Sequence, residues 1–291
     1  MMHIYYLFAY FFVYGFLGWC VEVSYATTKE RKFVNRGFLN GPICPIYGLG
    51  VAIVLELLMK YRSNLLLLYV ASVILVSALE WVTGFLLEKI FHNKWWDYSE
   101  MPLNLNGYIC VPFSLVWGVA CVLIVDFIHP LIHKVISWVP LILGVVILVV
   151  FVIVILADCI VTAAGIFKMN HALEHMSYIT NQLHDISDQI GEEIYKKTIE
   201  AMDHQEATRQ KMNQASINMK EKQQELSEDM RKQISELSIL RDDIVAKMMM
   251  ENHTSRRLMK AFPKMKVIQK PKLLGEMKER FEQLKKWKSE K

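Results

Sequence analysis

The sequence predicts an all-α, polytopic membrane protein with a long helical tail. Two observations lead to this fold class: 53% of the 291 residues are apolar, and the charges are concentrated at one end. Residues 1–167 hold 18 of the 62 Asp, Glu, Lys and Arg residues, and residues 168–291 hold the other 44. This composition excludes disorder, a collagen-like fibre and a disulfide scaffold. We predict a transmembrane domain at 1–167, a cytoplasmic helical arm at 168–251 and a basic tail at 252–291.

Five apolar runs in the first domain are close to the length of about 20 residues that crosses a bilayer. The second run is short and begins with two prolines, which are tolerated in the first turn of a helix. The fifth run is the most uniformly apolar and has the composition of a lipid-facing helix. The sequence predicts five transmembrane helices, at residues 4–26, 43–59, 65–90, 109–128 and 139–167.

Basic residues near the ends of these helices predict their orientation. The loops after the first and third helices, with the adjoining helix end, carry six Lys or Arg residues, against three on the opposite face. Because positively charged loops stay in the cytoplasm, the N-terminus is expected outside the cell. The tail, which follows an odd number of crossings, is expected in the cytoplasm.

A short motif occurs twice at an offset of 66 residues, as NGPIC at 40–44 and NGYIC at 106–110. Each copy follows a polar loop and opens an apolar helix. This arrangement predicts two parallel helical-hairpin repeats, at 4–59 and 65–128. The alternative is that two unrelated helices begin alike, since Asn is a common N-cap and Gly a common turn residue.

Acidic residues inside the predicted helices indicate a cavity or a charged partner, because an unpaired charge is costly in lipid. Glu22, Glu80 and Asp158 all lie towards the cytoplasmic side. One interpretation is a cytoplasmic vestibule for a cation, a proton, or a polar or zwitterionic head group. The alternative is structural, with Glu22 or Glu80 paired to Arg36. The predicted substrate-binding residues are Glu22, Arg36, Asn40, Glu80, Asp97 and Asn106.

The loop at 92–102 contains WWDYS and has two interpretations. Its Trp and Tyr residues are typical of an anchor at the membrane interface. Alternatively, Asp97 forms an Asx-type turn that stiffens a lid. His92 and Asp97 lack the spacing of a metal site, and no metal or cofactor is predicted. Since no nucleophile, base and orienting group can be recognised together, no catalytic residue is predicted and the protein is not expected to be an enzyme.

The tail changes character along its length. Apolar residues recur every three or four positions from Met176 to Ile194, close to a heptad pattern. This predicts a coiled-coil arm for self-association or partner docking; the alternative is a hairpin within one chain, turning near Gly191 or in the polar stretch 198–211. Residues 252–291 hold 13 Lys or Arg and 4 Asp or Glu. Membrane lipids are therefore the expected partner rather than nucleic acid, with a solvated tail as the alternative.

Two blocks of residues resemble one family of bacterial membrane proteins. The first block is YGFLGW at 14–19, Glu22, NRGFLNGP at 35–42 and CPIYG at 44–48. The second is Glu80, Gly84, Glu88, WDYS at 96–99, NG at 106–107, Cys110 and FSLVWG at 113–118. Over residues 5–130 the chain is similar to the putative ABC-transporter type IV family, the CmpB-like permeases.

The resemblance implies a multi-pass protein of the bacterial inner membrane that serves as a transport component, with an unknown solute. No GxxxxGK[ST] phosphate loop occurs in the sequence, so the expected ATPase is a separate subunit. Five helices are few for a complete translocation path, and a homo-oligomer is therefore expected. The alternative function is a scaffold that does not transport and whose coiled coil recruits partners.

Overall fold

The computed structural model describes residues 2–203, 212–262 and 265–267, and the single positions 275, 279 and 283. The chain is mostly helical, which confirms the all-α prediction in its coarse form. Two short antiparallel strand pairs, β1 with β4 and β2 with β3, were not predicted. The elements are α1 (Met2–Glu30), α2 (Pro45–Leu58), α3 (Leu65–Phe91), β1 (Asn93–Lys94), β2 (Asn104–Leu105), β3 (Ile109–Cys110), α4 (Val111–Leu123), α5 (His129–Ser137), α6 (Leu141–Asp203), α7 (Met212–Glu251), α8 (His253–Ala261) and β4 (Lys266–Val267).

Four helical stretches among the described residues are long and apolar enough to cross a membrane. They are Met2–Glu30, Leu65–Phe91, Val111–Ser137 and Leu141–Glu193. They overlap the first, third, fourth and fifth predicted runs, and the last two begin two residues later than predicted. The second run forms α2, whose 14 residues rise only about 21 Å along the helix axis. This is shorter than the roughly 30 Å of bilayer hydrocarbon. A membrane protein is thus supported, but the prediction of five transmembrane helices is not confirmed.

The third of these stretches extends past the predicted end at residue 128, because α4 continues through a π-helical turn at Ile124–Ile128 into α5. Pro130 accounts for the irregular turn: it has no amide N–H, and its ring excludes the carbonyl four residues earlier. That carbonyl belongs to Asp126 and accepts a hydrogen bond from Arg62 Nη2 at 3.2 Å. Arg62 Nε also contacts Asp126 Oδ1 at 2.9 Å.

The helices α1 and α2 pack as an antiparallel hairpin, and α3 and α4 form another. The first approach is close: a Cβ on Gly18 would lie 2.4 Å from Cγ of Tyr47, so only glycine fits there. α2 and α4 begin 66 residues apart, and each follows an extended cysteine, Cys44 or Cys110. The offset of the motif is therefore also the offset of the two helix starts. Gene duplication itself stays a prediction.

The end of the membrane domain away from the NG motifs is held by a buried core that includes polar side chains. Tyr10 and His133 share a hydrogen bond of 2.5 Å, and Tyr14 and His129 share one of 3.3 Å. These bonds join α1 to α5. The surrounding buried residues are Ala9, Val51, Val54, Leu55, Leu58, Leu68, Cys121, Val125 and Ile136.

The described chain divides differently from the predicted domains. One unit consists of Met1–Lys168 together with Asn252–Pro271, and the other of Met169–Glu251 with Lys272–Lys291. The first part of the predicted basic tail therefore belongs with the membrane domain. The charge pattern did not reveal this, because the contacts that hold it are largely made to main-chain carbonyl groups.

The second unit contains the later part of α6 and all of α7. α6 continues through Gly191 and ends at Asp203, inside the predicted polar stretch. Residues 204–211, where a hairpin would turn, lie outside the described residues. Met176 and Ile179 are each only 2% exposed in the single chain, so this part of the apolar stripe is already covered. The coiled coil and the homo-oligomer stay predictions.

Candidate functional site

The first acidic residue, Glu22 on α1, is paired and hydrogen-bonded. Its Oε2 lies 3.1 Å from Nε of Arg36, in the loop that follows α1. Its Oε1 accepts a hydrogen bond of 2.6 Å from the hydroxyl group of Tyr47, in the first turn of α2. Arg36 also lies over the ring of Tyr25, 5.1 Å from its centroid. The structural alternative, a Glu22–Arg36 ion pair, is therefore present.

The second acidic residue, Glu80 on α3, is only partly satisfied. Its Oε1 accepts a long hydrogen bond of 3.4 Å from the hydroxyl group of Tyr98. Its Oε2 is buried and has no hydrogen-bond partner among the described residues, and the same is true of Ser77 Oγ and Trp81 Nε1. Residues 77, 80 and 81 are three and four positions apart and so share one face of the helix. This turn of α3 therefore carries three buried polar atoms to which the described part of the chain offers no hydrogen bond.

Tyr98 relates the two acidic residues to each other. It lies in the loop between β1 and β2, and burial raises the pKa of its phenol, with further contributions from the negative charges of Glu80 and Glu22. Both carboxylates are therefore within electrostatic range of one hydroxyl group. The Tyr98 ring packs on Phe113 of α4, with 5.3 Å between centroids, so the loop is held against the second hairpin.

The third acidic residue, Asp158 on α6, binds the loop between α1 and α2. Its Oδ1 accepts hydrogen bonds from Asn40 N at 3.1 Å and from Asn40 Nδ2 at 2.9 Å. Its Oδ2 accepts one from Gly41 N at 2.7 Å. Thr162, one turn later on α6, donates to Oδ1 at 3.2 Å. Asp158 thus holds the first NG motif against α6.

Arg257 of α8 binds the same loop. Its Nη1 donates to Gly37 O at 2.6 Å, its Nη2 to Phe38 O at 2.7 Å, and its Nε to Asn40 Oδ1 at 3.1 Å. Burial lowers the pKa of the guanidinium group to about 10, against the opposing effects of Asp158 and Cys44. The group therefore stays positively charged at neutral pH. Asn40, a predicted substrate-binding residue, is engaged by two parts of its own chain.

Asp97 lies in the loop between α3 and α4 and is paired with two lysines. Its carboxylate lies 2.6 Å from Nζ of Lys266 and 3.4 Å from Nζ of Lys94. It also accepts a hydrogen bond of 3.0 Å from Ser99 N, which confirms the Asx-type turn. Burial alone would raise the pKa of Asp97, but the bonds from Lys266 and Ser99 and the charge of Lys94 hold it below its usual range.

Asn106 contributes through its backbone rather than through a described side-chain contact. Its φ of 55° is in the left-handed region, and its carbonyl oxygen accepts a hydrogen bond of 2.9 Å from Lys94 Nζ. The neighbouring Asn104 closes the turn, with its Oδ1 accepting from Gly107 N at 3.2 Å. The second NG motif is thus a structured turn that supports Lys94 and, through it, Asp97.

The six predicted residues separate into three groups. Glu22, Arg36 and Glu80 lie on or beside the spanning helices, Asn40 joins α6 and α8, and Asp97 and Asn106 shape the second loop. Sequence reasoning missed several residues that complete these groups. Tyr47 could have been found from its place as an aromatic residue in the first turn of α2. Nothing in the sequence indicated Arg257 and Lys266, which lie more than 150 residues from the loop residues that they bind. The missed residues are Tyr47, Tyr98, Thr162, Arg257 and Lys266.

Comparison with known proteins places the membrane domain in a family. The family model described as "Putative ABC-transporter type IV" matches residues 9–163. A search of curated proteins and one of solved structures each gave no significant match. All six predicted site residues lie within the matched range, whereas Arg257 and Lys266 lie beyond it. Since the match covers more than half of the 291 residues, the chain belongs to the putative ABC-transporter type IV family.

Proposed function

We propose that this protein is an integral membrane component of a transport system and that a positively charged solute binds at Glu80. The observation that carries the proposal is a set of buried atoms on one turn of α3 that have no hydrogen-bond partner among the described residues: Ser77 Oγ, Glu80 Oε2 and Trp81 Nε1. Buried polar atoms in proteins are nearly always hydrogen-bonded, so a cluster of unpartnered ones is unusual and calls for a ligand or a role. An ionised carboxylate only accepts hydrogen bonds.

The charge of the solute follows from the contrast between the two acidic residues. Arg36 neutralises Glu22, whereas no ion pair to Glu80 is found among the described residues. Aromatic rings surround this turn: Trp81 stacks on Phe85 at 5.4 Å, and Tyr98 bonds to the carboxylate. Ring faces attract cations such as ammonium groups. A carboxylate with neighbouring aromatic rings therefore favours a small organic ammonium ion over an anion.

Binding is tested on the full chain in mild detergent by thermal unfolding with methylammonium or choline, against sodium chloride at equal ionic strength. A ligand that binds only the folded state stabilises it by about 2.7 kcal/mol at 100 times its Kd. We expect a concentration-dependent rise in Tm for one of the ammonium ions. Glu80→Gln, which keeps the shape and removes the charge, is expected to abolish the rise.

Two outcomes would contradict this assignment. One is an equal rise in Tm in the wild type and in Glu80→Gln, which would mean that the ions act elsewhere on the protein. The other is a flat response to both ammonium ions across a range up to tens of millimolar. A charge-neutralising change at the exposed Glu100 is the matched control and should leave the response unaltered.

The proposal also includes the orientation of the protein in the membrane and its cellular location. The bias of basic residues supports an external N-terminus and a cytoplasmic tail in the bacterial inner membrane. In a cysteine-free background, we expect a membrane-impermeant maleimide applied to intact cells to label a cysteine introduced at Ser63. It should miss one introduced at Lys32. External labelling at Lys32 would overturn the orientation.

A non-transporting scaffold is the second candidate function. It is favoured by the later part of α6 and by α7, which is 40 residues long, because these helices lie outside the family match at 9–163. Co-purification of a subunit that hydrolyses ATP favours transport, since this chain has no phosphate loop of its own. Loss of function on removal of the arm alone, with Glu80→Gln fully active, favours the scaffold.

A further inference from the structure

The described residues of the segment 252–267, which are 252–262 and 265–267, pack on the membrane domain, and their docking site on α6 requires a glycine. Asn252 caps α8 by accepting from Ser255 N at 3.0 Å, and its Nδ2 donates to Gly165 O at 3.1 Å. Ser255 Oγ donates to the same carbonyl at 3.1 Å. A Cβ on Gly165 would lie 2.7 Å from Cβ of Thr254. The start of α8 is therefore fitted against this point of α6.

From this anchor the segment reaches both polar loops. Arg257 binds three acceptors in the loop between α1 and α2, all at 3.1 Å or less. Further along, β4 pairs antiparallel with β1, with Val267 opposite Asn93, and Lys266 binds Asp97 at 2.6 Å. Between the two, the ring of Phe262 packs edge-on against Trp95, with 5.4 Å between centroids. The described residues of this one segment thus hold the loops of both hairpins.

Each loop contains two adjacent residues with different partners. One binds the segment at 252–267, and the other binds an acidic residue of a spanning helix. In the first loop, Arg36 binds Glu22 while the next residue, Gly37, accepts from Arg257. In the second loop, Tyr98 binds Glu80 while the preceding residue, Asp97, binds Lys266. A peptide unit spans only about 3.8 Å between Cα atoms. A displacement of Gly37 or Asp97 together with the segment is therefore passed on to the partner of Glu22 or of Glu80.

We propose that residues 252–267 form a releasable strap that closes the loop face of the membrane domain and controls access to the region of Glu22 and Glu80. Arg257 is its fastening on the first loop, and Lys266 with β4 is its fastening on the second. The strap follows α7 directly in the chain, because α7 ends at Glu251 and α8 begins at His253. A partner that binds α7 is therefore connected to the strap through the polypeptide chain.

The chemistry of the two fastenings makes release feasible without unfolding. Most bonds of Arg257 are to main-chain carbonyls of a loop, and the Lys266 side chain is 53% exposed, so water can replace these partners. Five of the nine residues of α8 are buried, with Leu258 and Met259 as the largest, and Met265 and Val267 are buried after it. The strap is thus held by polar contacts together with a short apolar face, which its release would expose.

The test measures how fast native Cys44 reacts with a maleimide in detergent, with Cys121 as an internal reference. Cys44 is 6% exposed and lies near Arg257, whereas Cys121 is 7% exposed in the core at the other end of the domain. Labelled peptides are identified by mass spectrometry. Arg257→Ala should speed the labelling of Cys44 about tenfold or more, the range for loss of a charged hydrogen-bond set, without changing Cys121.

Lys266→Ala is the second variant. It is not expected to disturb folding, because Lys266 is exposed, and it does not contact the first loop. If the strap moves as one unit, this change should still speed Cys44 labelling, by about two- to fivefold. Lys260→Ala removes the same charge from an exposed position of α8 and should have no effect. Gly165→Ala should act like Arg257→Ala, by displacing Thr254.

The strap is refuted if Lys266→Ala leaves the Cys44 rate at the level of Lys260→Ala. It is equally refuted if Arg257→Ala leaves that rate unchanged, or raises the Cys44 and Cys121 rates together, which would mark Arg257 as a residue of the general fold. The role in access rests on the proposed function, but the labelling uses no solute. If the ammonium ions have no effect on Tm but the labelling result is as expected, the proposed solute is refuted and the strap is supported.

Discussion

Asp158→Ala is expected to lower the free energy of unfolding by about 3 kcal/mol, because one carboxylate organises the first loop. Removing it leaves the main-chain N–H groups of Asn40 and Gly41 without their acceptors. It also deprives the Arg257 cation of a nearby negative charge. Hydrogen bonds to charged groups contribute about 1.5–3 kcal/mol each, and unpaired partners add their own cost.

The measurement is thermal or denaturant unfolding in one detergent, compared with Asp158→Asn and Cys159→Ala. Asn keeps one acceptor oxygen and should show about half of the loss. Cys159 is the neighbouring, exposed residue, and its replacement should change stability by less than about 0.5 kcal/mol. If Asp158→Ala is as stable as Cys159→Ala, the loop is held by other contacts and Asp158 is free to serve a solute.

The sequence predicted the helices better than it predicted what joins them. Apolar runs carry their own evidence, since a bilayer requires about 20 such residues, and four of the five runs gave helices of that kind. The second run is not confirmed as a crossing, because residues 43–59 include the N-cap Cys44 and the first residue of a 3₁₀ turn at Met59–Tyr61 as well as the 14-residue helix α2. Composition does not register where a helix begins and ends.

The candidate site shows the same division between local and distant information. Acidic residues in apolar helices are conspicuous, and Glu22, Glu80 and Asp158 were recognised on that ground. Their partners were recognisable only when they were close in sequence, as Arg36 is to Glu22. Arg257 reaches Gly37 and Phe38 through backbone carbonyls that every residue possesses, so no pattern in the sequence distinguishes it from the other basic residues of the tail.

The two acidic residues of the hairpins are expected to respond to the same substitution with opposite signs. Glu22→Met should lower the free energy of unfolding by about 2 kcal/mol, since it leaves Nε of Arg36 and the hydroxyl group of Tyr47 without their acceptor. Glu80→Met should raise it by about 1–2 kcal/mol. Its Oε2 is buried without a partner among the described residues, and its one hydrogen bond, to Tyr98, is long at 3.4 Å.

The physical reason for the gain is desolvation. A buried polar group without a partner costs about 1–3 kcal/mol, and the thioether of Met fills a similar volume with no such cost. A protein that keeps such a group is less stable than a variant with an apolar residue there, as is common where a residue is required for function. The same Glu80→Met variant should therefore lose the ammonium-dependent rise in Tm while being the more stable protein.

Both variants are compared with the wild type by thermal unfolding in one detergent without added ammonium ions. Glu88, about two turns further along α3, supplies the control. The stability of Glu88→Met should fall between those of the other two variants. Opposite signs for Glu22 and Glu80 would assign the first to the structure of the hairpin and the second to a ligand. A loss of stability in Glu80→Met as large as that in Glu22→Met would show that Glu80 also has a structural partner, and the solute site would have to be sought elsewhere.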